Sequence, residues 1–106
     1  MSTPRYGHSP IAMRRMRDED AIKILGDFAW KIEENGERYL LVTVPRPLPD
    51  HSGGWLFQCL PVKRGPNEPG RHWGWDGNED SPTLTPSIHA IGYWHGWIRE
   101  GKLIEA

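Results

Sequence analysis

The chain lacks the features that would assign a small protein to an exported, membrane or disulfide-bonded class. It has one cysteine in 106 residues, so no disulfide can form within the chain, which indicates either a reducing compartment or indifference to redox conditions. It has no run of about 18 apolar residues that could span a membrane. The first 17 residues also lack the continuous apolar segment of a signal peptide. We therefore expect a soluble, cytoplasmic protein with no membrane partner.

A strong charge of one sign is also missing. Thirteen Lys and Arg residues stand against fourteen Asp and Glu residues, which leaves a net charge of −1 and no overall cationic field for nucleic acid. Locally, four arginines precede the first acidic residue, Asp18. We expect residues 1–19 to form a basic, flexible arm and residues 20–106 to form one β-rich domain. Nucleic-acid binding through this arm is the weakest functional hypothesis.

No helix-length hydrophobic period is present, and twelve glycines and ten prolines are spread along the chain. This pattern predicts an all-β fold, a small antiparallel sandwich or barrel of six to seven short strands with at most one short helix. The Asn35-Gly36 pair lies between strand-like runs in residues 28–44 and predicts a hairpin with a type I′ turn. The segment Asp20–Asp27 could add one or two helical turns capped by Asp20.

Further strands are expected in the C-terminal half. The patterns predict strands at residues 55–60, ended or placed at an edge by Pro61, at 72–75, and at 83–88. A final hairpin is predicted over residues 93–104. In its first strand, the two-residue period places Trp94, Gly96 and Ile98 on one face. It places Tyr93, His95, Trp97 and Arg99 on the other.

The most distinctive feature present is the run from residue 72 to 102, which holds four of the six tryptophans and three of the five histidines. Tryptophans at this density either pack a core or form a binding surface, and both interpretations stay open. If they bind, alternating aromatic pairs could flank a groove for a ligand or partner. The predicted binding surface consists of Trp73, Trp75, Asp76, Tyr93, His95 and Trp97.

A metal site is a second hypothesis. Four soft or borderline ligands lie on or beside strands that the pattern would bring together, and they could form a tetrahedral zinc site. These residues are Cys59, His72, His89 and His95. No C-x-x-C or H-x-x-x-H knuckle is present, so the alternative is a buried apolar cysteine with ordinary histidines.

Acid–base and nucleophilic chemistry have weaker signals. Asp76 and Asp80 could converge near a histidine, but aspartates in turns usually bond their own backbone as Asx-turns. Ser87 and Thr85 could act as nucleophiles, but no G-x-S-x-G elbow surrounds them. We assign no catalytic residue from the sequence.

Three motifs together resemble a family of small uncharacterised phage and prophage proteins, some of them mislabelled as ammonia monooxygenases. The motifs are W-G-W-D-G-N at residues 73–78, P-T-L-T-P-S-I at 82–88 and W-H-G-W-I at 94–98. In related members, cysteines look like metal ligands, and by position they correspond to Cys59 and His95. The cysteine expected just before Trp94 is absent, with Gly92 and Tyr93 in its place.

The resemblance implies a phage or prophage setting in an infected or lysogenic bacterial host. Our sequence-based hypothesis is a non-enzymatic accessory protein that binds a host protein, as an inhibitor or adaptor, or a small ligand through its aromatic face. The alternative is a zinc-binding domain or a metal-dependent hydrolase. Exposed strand edges, with Pro86 among them, leave both a monomer and a homodimer open.

Overall fold

The computed structural model describes residues 10–46, 54–90 and 92–106. Within these ranges, ten strands form two sheets, and the helical structure is one 3₁₀ turn. The expected all-β class is confirmed. The strand number exceeds the predicted six to seven because three of the strands have only two residues, too few to produce a sequence pattern.

The strands are β1 (Ile11–Ala12), β2 (Arg14–Arg15), β3 (Asp27–Ile32), β4 (Arg38–Pro45), β5 (Trp55–Arg64), β6 (Trp73–Trp75), β7 (Leu84–Thr85), β8 (Ile88–Ala90), β9 (Trp94–Arg99) and β10 (Lys102–Glu105). The four-stranded sheet has the order β1-β10-β9-β8, and the six-stranded sheet has the order β2-β3-β4-β5-β6-β7. Neighbouring strands are antiparallel except for β2 with β3 and β5 with β6.

The N-terminal segment differs from the expected arm. Strand β1 pairs with β10 and strand β2 pairs with β3, so residues 11–15 belong to both sheets and the β domain begins before residue 20. Arg14 in β2 also forms a two-pronged ion pair with Asp27, whose side chain is fully buried. The sequence did not predict this backbone pairing, because a segment rich in arginine is typical of a solvated arm. Residues 1–9 of the expected arm lie outside the described residues.

The short helical segment begins earlier than the sequence suggested. A 3₁₀ turn covers Glu19–Ala21, and the Asp18 carboxylate caps it by accepting a hydrogen bond from the Ala21 backbone N–H. The predicted cap at Asp20 is therefore wrong by two residues. No helix in the described ranges is long and apolar enough to cross a membrane.

The predicted hairpin is confirmed as β3 and β4, but its turn is of another type. Residues 34–36 form a three-residue loop in which Gly36, at φ 89°, takes the left-handed conformation. The Gly36 N–H donates to the Glu33 carbonyl, and the Asn35 side chain accepts from the Glu37 N–H. This is the type I turn with a glycine bulge that three-residue hairpin loops favour.

The sequence predicted that Pro61 would end strand β5 or lie at an edge of the sheet, and the second alternative is found, because β5 continues through Pro61. It pairs with β4 over its whole length, Trp55–Arg64. On its other side, pairing with β6 begins only at Val62. Among the residues that the structure describes, that side is thus an edge up to Pro61, where the missing proline N–H removes no ladder bond to β6.

The predicted strand at residues 83–88 is divided between the two sheets. Strand β7 belongs to the six-stranded sheet and β8 to the four-stranded sheet, so the chain crosses from one layer to the other at Pro86 and Ser87. Leu84 on one side of the crossing and Ile88 on the other are both buried in the core. The sequence of residues 83–88 does not show this division, because alternating apolar residues continue on both sides of Pro86.

The core lies between the two sheets and draws residues from both. In β9, Trp94, Gly96 and Ile98 share one face, as the two-residue period predicted, and the structure shows that this face packs in the core. Gly96 has no room for a side chain, because a Cβ there would collide with the Trp94 ring and the Ile104 carbonyl. Because Trp94, Gly96 and Ile98 face the core, the opposite face of β9 is directed towards solvent.

Candidate active site

The outer face of the four-stranded sheet carries a compact group of polar and aromatic side chains. His89 in β8 lies directly opposite His95 in β9. Ser87, one residue before β8, shares the face of His89 because side chains alternate along an extended chain. Ser87 and His95 are thus diagonal neighbours across the strand pair, a distance that polar side chains can bridge.

Ser87 and His95 form a hydrogen bond, with 3.0 Å between the serine Oγ and the histidine Nε2. When the imidazole carries its proton on Nδ1, Nε2 accepts the hydroxyl proton. Ser87 is half-buried, whereas His95 is exposed. A hydroxyl that donates to an imidazole within 2.6–3.2 Å is the arrangement that activates a serine nucleophile.

Two aromatic rings flank His95. The His89 ring lies 4.9 Å away between centroids with a tilt of 34°, and the Trp97 ring lies 6.1 Å away. The Arg99 guanidinium in turn stacks on Trp97 at 4.8 Å. In the described part of the chain, the His95 ring contacts Ser87, His89 and Trp97.

The position of Ser87 is fixed from both sides. Its carbonyl accepts a hydrogen bond of 3.4 Å from the indole N–H of Trp73 in the other sheet. The next residue, Ile88, is 1% exposed and anchors the start of β8 in the core. The nucleophile candidate therefore lies on a supported crossing between the layers and not on a free loop.

The predicted aromatic binding surface is divided. Trp75 is 8% exposed and belongs to the core, where its ring lies 4.8 Å from that of Trp30. The Arg38 guanidinium lies over both rings, at 4.8 Å from Trp75 and 5.2 Å from Trp30. Trp73 also packs against the core. Both tryptophans of β6 thus stabilise the fold, which corrects their expected place in one groove with β9.

The remaining aromatic residue of that prediction, Tyr93, lies in the turn after β8. It is 44% exposed, and the Arg46 guanidinium lies 5.1 Å from its ring centre. Tyr93 therefore contributes an exposed aromatic ring to the part of the predicted surface that faces solvent.

The two turn aspartates serve the backbone and the surface. The Asp76 carboxylate accepts hydrogen bonds from the backbone N–H groups of Asn78 and Thr83, at 3.0 and 3.2 Å. This is the Asx-turn role that the sequence offered as the alternative to acid–base chemistry. Asp80 forms an ion pair of 2.8 Å with Arg15 and lies at the surface. Neither carboxylate has a recorded contact with His95.

The four candidate metal ligands do not converge. His89 and His95 lie side by side, but Cys59 is exposed on β5 of the other sheet. His72 lies before β6, with its Nδ1 4.0 Å from a carboxylate oxygen of Glu68. Among the described residues, no group of three or more His, Cys, Asp or Glu side chains is arranged to hold a metal ion. Zinc binding stays a prediction.

The buried charge of the molecule lies away from this site. Burial alone would raise the pKa of the Asp27 carboxyl, but hydrogen bonds from Arg14 and from the backbone N–H groups of Lys23 and Ile24 lower this pKa overall. The same contact raises the pKa of Arg14. These groups hold the N-terminal segment on β3, and they have a structural role.

The comparison with protein families connects this geometry to a class of proteins. Residues 53–106 match the family described as bacterial ubiquitination-like system serine protease (BubE). The match covers just over half of the 106 residues. The chain belongs to the BubE family. No match was found among curated proteins or among solved structures.

The BubE match covers both residues of the hydrogen-bonded pair, Ser87 and His95. The sequence motifs pointed to His95 as a binding or metal residue, and they gave Ser87 no surrounding elbow. Only the layer crossing at Ser87 brings the two together. The family description names a bacterial ubiquitination-like system, and the resemblance to phage proteins stays a prediction.

Proposed function

We propose that this BubE-family protein is a serine protease in which Ser87 is the nucleophile and His95 is the general base. The observation that carries the proposal is the 3.0 Å hydrogen bond between Ser87 Oγ and His95 Nε2 on a solvent-accessible face. The family description supports the reaction class, because it names serine proteases of a bacterial ubiquitination-like system. The polypeptide substrate would then be a component of that system.

The chemistry follows from the two side chains. Ser87 Oγ attacks the carbonyl carbon of the scissile peptide bond while its proton moves to His95 Nε2. The tetrahedral intermediate collapses, the carbon–nitrogen bond breaks, and His95 returns the proton to the leaving amine. Water then attacks the Ser87 ester, again with His95 as base, which releases the acid product and restores the hydroxyl.

The proposal is tested by the rate at which a small fluorophosphonate labels the purified protein. Wild-type protein should be labelled, and Ser87→Ala should abolish the labelling. His95→Gln should slow it by about 10²- to 10⁴-fold, the range in which a general base contributes. Because both side chains lie on the outer face, thermal unfolding of the variants should stay close to wild type.

Ser81→Ala is the matched control, since Ser81 is an exposed serine in the loop before β7. Its labelling rate should equal that of wild type. Labelling that persists in Ser87→Ala, or that is indifferent to His95→Gln, would contradict the assignment.

A further inference from the structure

Strand β8, which follows Ser87 directly, is an outer strand of its sheet. The four-stranded sheet ends at β8, whose strand partner among the described residues is β9. An outer strand presents backbone N–H and C=O groups that another extended chain can pair with. Which residues present them depends on the phase of the hydrogen bonds between β8 and β9.

The phase is fixed by one bond on the far side of β9. The His95 carbonyl accepts a hydrogen bond of 2.9 Å from the Ala106 N–H, so the backbone of His95 points towards β10 and away from β8. His89 is directly opposite His95, and the two form a non-hydrogen-bonded pair. Such pairs bring side chains closest together, which agrees with the contact between the two imidazole rings.

The backbone of His89 must then point the other way. Alternate residues of a strand direct their N–H and C=O groups to opposite sides. Ile88 and Ala90 bond towards β9, and the Ala90 carbonyl also accepts from the Tyr93 N–H at 2.8 Å. His89 therefore directs both its N–H and its C=O to the outer side of the sheet.

These two groups lie next to the proposed nucleophile. Ser87 and His89 are two residues apart in an extended chain, a separation of about 7 Å. Ser87 lies just before β8, and its carbonyl is already bonded to the Trp73 indole. His89 is therefore the first residue after the crossing whose backbone donor and acceptor both face outward. A chain paired with His89 would run alongside Ser87.

We infer that the polypeptide substrate binds in extended form as an added strand on β8, hydrogen-bonded to the N–H and C=O of His89. The inference rests on the proposed protease function and names how that site recognises its substrate. One substrate residue pairs with His89. A peptide carbonyl about two residues further along the substrate then lies at Ser87 Oγ. The site therefore selects unfolded or flexible chain segments over helices, whose backbone groups are already bonded.

The experiment compares two covalent probes on the same protein. One is a small non-peptidyl fluorophosphonate, and the other is a pool of tetrapeptidyl diphenylphosphonates that vary in the residue beside phosphorus. The measured quantity is the labelling rate of the best peptidyl probe divided by that of the small probe. The two backbone hydrogen bonds to His89 should raise this ratio by about 10- to 100-fold. A second pool, N-methylated at the residue expected to pair with His89, should lose this advantage.

A protein variant tests the same bonds from the other side. His89→Pro removes the outward N–H without removing a bond to β9, and prolines are accepted at such edge positions. His89→Ala is the matched control, because it removes the same imidazole but keeps the N–H. The ratio of peptidyl to non-peptidyl labelling should fall in His89→Pro and stay near wild type in His89→Ala. Circular dichroism checks that both variants are folded.

The outcomes separate the two proposals. If the small probe does not label Ser87, the protease function itself fails. If it does label Ser87 but N-methylation leaves the peptidyl rate unchanged, strand addition is wrong, and this result holds even if His89→Pro does not fold. A wild-type dimer that becomes monomeric in His89→Pro would also overturn the inference, because the edge would then be occupied by a second copy of this chain.

Discussion

Strands β6 and β9 carry similar tryptophan-rich sequences, W-G-W and W-H-G-W, yet the protein uses them in different ways. In β6 the indole N–H groups of Trp73 and Trp75 donate to backbone carbonyls, and both rings pack against the core. In β9 the inner face is buried, but the outer face holds His95 and Trp97 beside Ser87. A high density of tryptophan therefore has two roles in this protein: it packs the core at β6, and it borders the candidate reaction site at β9.

The comparison extends to the polar groups of the two sheets. In the six-stranded sheet, charged side chains form ion pairs, as Arg14 does with Asp27 and Arg38 does with Glu79. On the outer face of the four-stranded sheet, a hydroxyl and an imidazole bond to each other and remain accessible to a substrate. A polar pair indicates a reaction site when it joins a hydroxyl to an imidazole on an accessible face, and less so when it joins two opposite charges that stabilise the fold.

The largest effect on stability should separate the two tryptophan segments. Trp75→Ala removes a buried ring that contacts Trp30 and Arg38, so the free energy of unfolding should fall by about 3–5 kcal/mol. Trp97→Ala, the matched change on the outer face, should lower it by less than about 1 kcal/mol. Urea unfolding of both variants measures the difference. Equal losses would mean that the outer face of β9 is part of the core.

An intermediate effect should come from the buried carboxylate of the six-stranded sheet. Asp27→Asn weakens charged hydrogen bonds to Arg14 and to two backbone N–H groups, which should cost about 2–3 kcal/mol at neutral pH. The folded-state pKa of Asp27 is lowered, so its stabilisation is complete above the unfolded-state pKa of about 3.9 and is lost as pH falls through the folded value.

Wild-type protein should therefore lose stability on acidification below about pH 4, and Asp27→Asn should lose less over the same range. Asp20→Asn, at an exposed position, is the control and should follow the wild-type curve. Thermal unfolding between pH 2 and pH 7 measures all three. An Asp27→Asn curve parallel to wild type in acid would rule out this role of the carboxylate.

The smallest effect should come from the surface ion pair between Arg15 and Asp80. Asp80 is 84% exposed and Arg15 is 43% exposed, and exposed pairs contribute at most about 1 kcal/mol. Asp80→Asn should therefore change the free energy of unfolding by less than this amount and leave fluorophosphonate labelling unchanged. A large loss of labelling would restore Asp80 as a candidate for acid–base chemistry.

Much of the fold could be predicted from local patterns. The β3–β4 hairpin, the division of β9 side chains between two faces and the β-rich class all follow from alternation and turn residues, which act over a few positions. The N-terminal strands could not be predicted, because β1 and β2 have two residues each and depend on pairing with distant partners. Likewise, the continuation of β5 through Pro61 depends on where β6 begins.

The candidate site was only half predictable. His95 stood out because the two-residue period placed it on an aromatic and charged face. Ser87 did not, because its role depends on the chain crossing between sheets at that residue, and no local motif marks such a crossing. The one available signal was the P-S-I step, in which Pro86 interrupts a strand-like run immediately before a serine.

The central claim is that Ser87 is a nucleophile activated by His95, and mass spectrometry of the phosphonylated protein tests it most directly. After reaction of the full chain with a fluorophosphonate and proteolytic digestion, the account predicts one adduct, on Ser87, in wild-type protein, and a strongly reduced yield in His95→Gln. An adduct on a different residue, or no adduct on a folded wild-type protein, would contradict it.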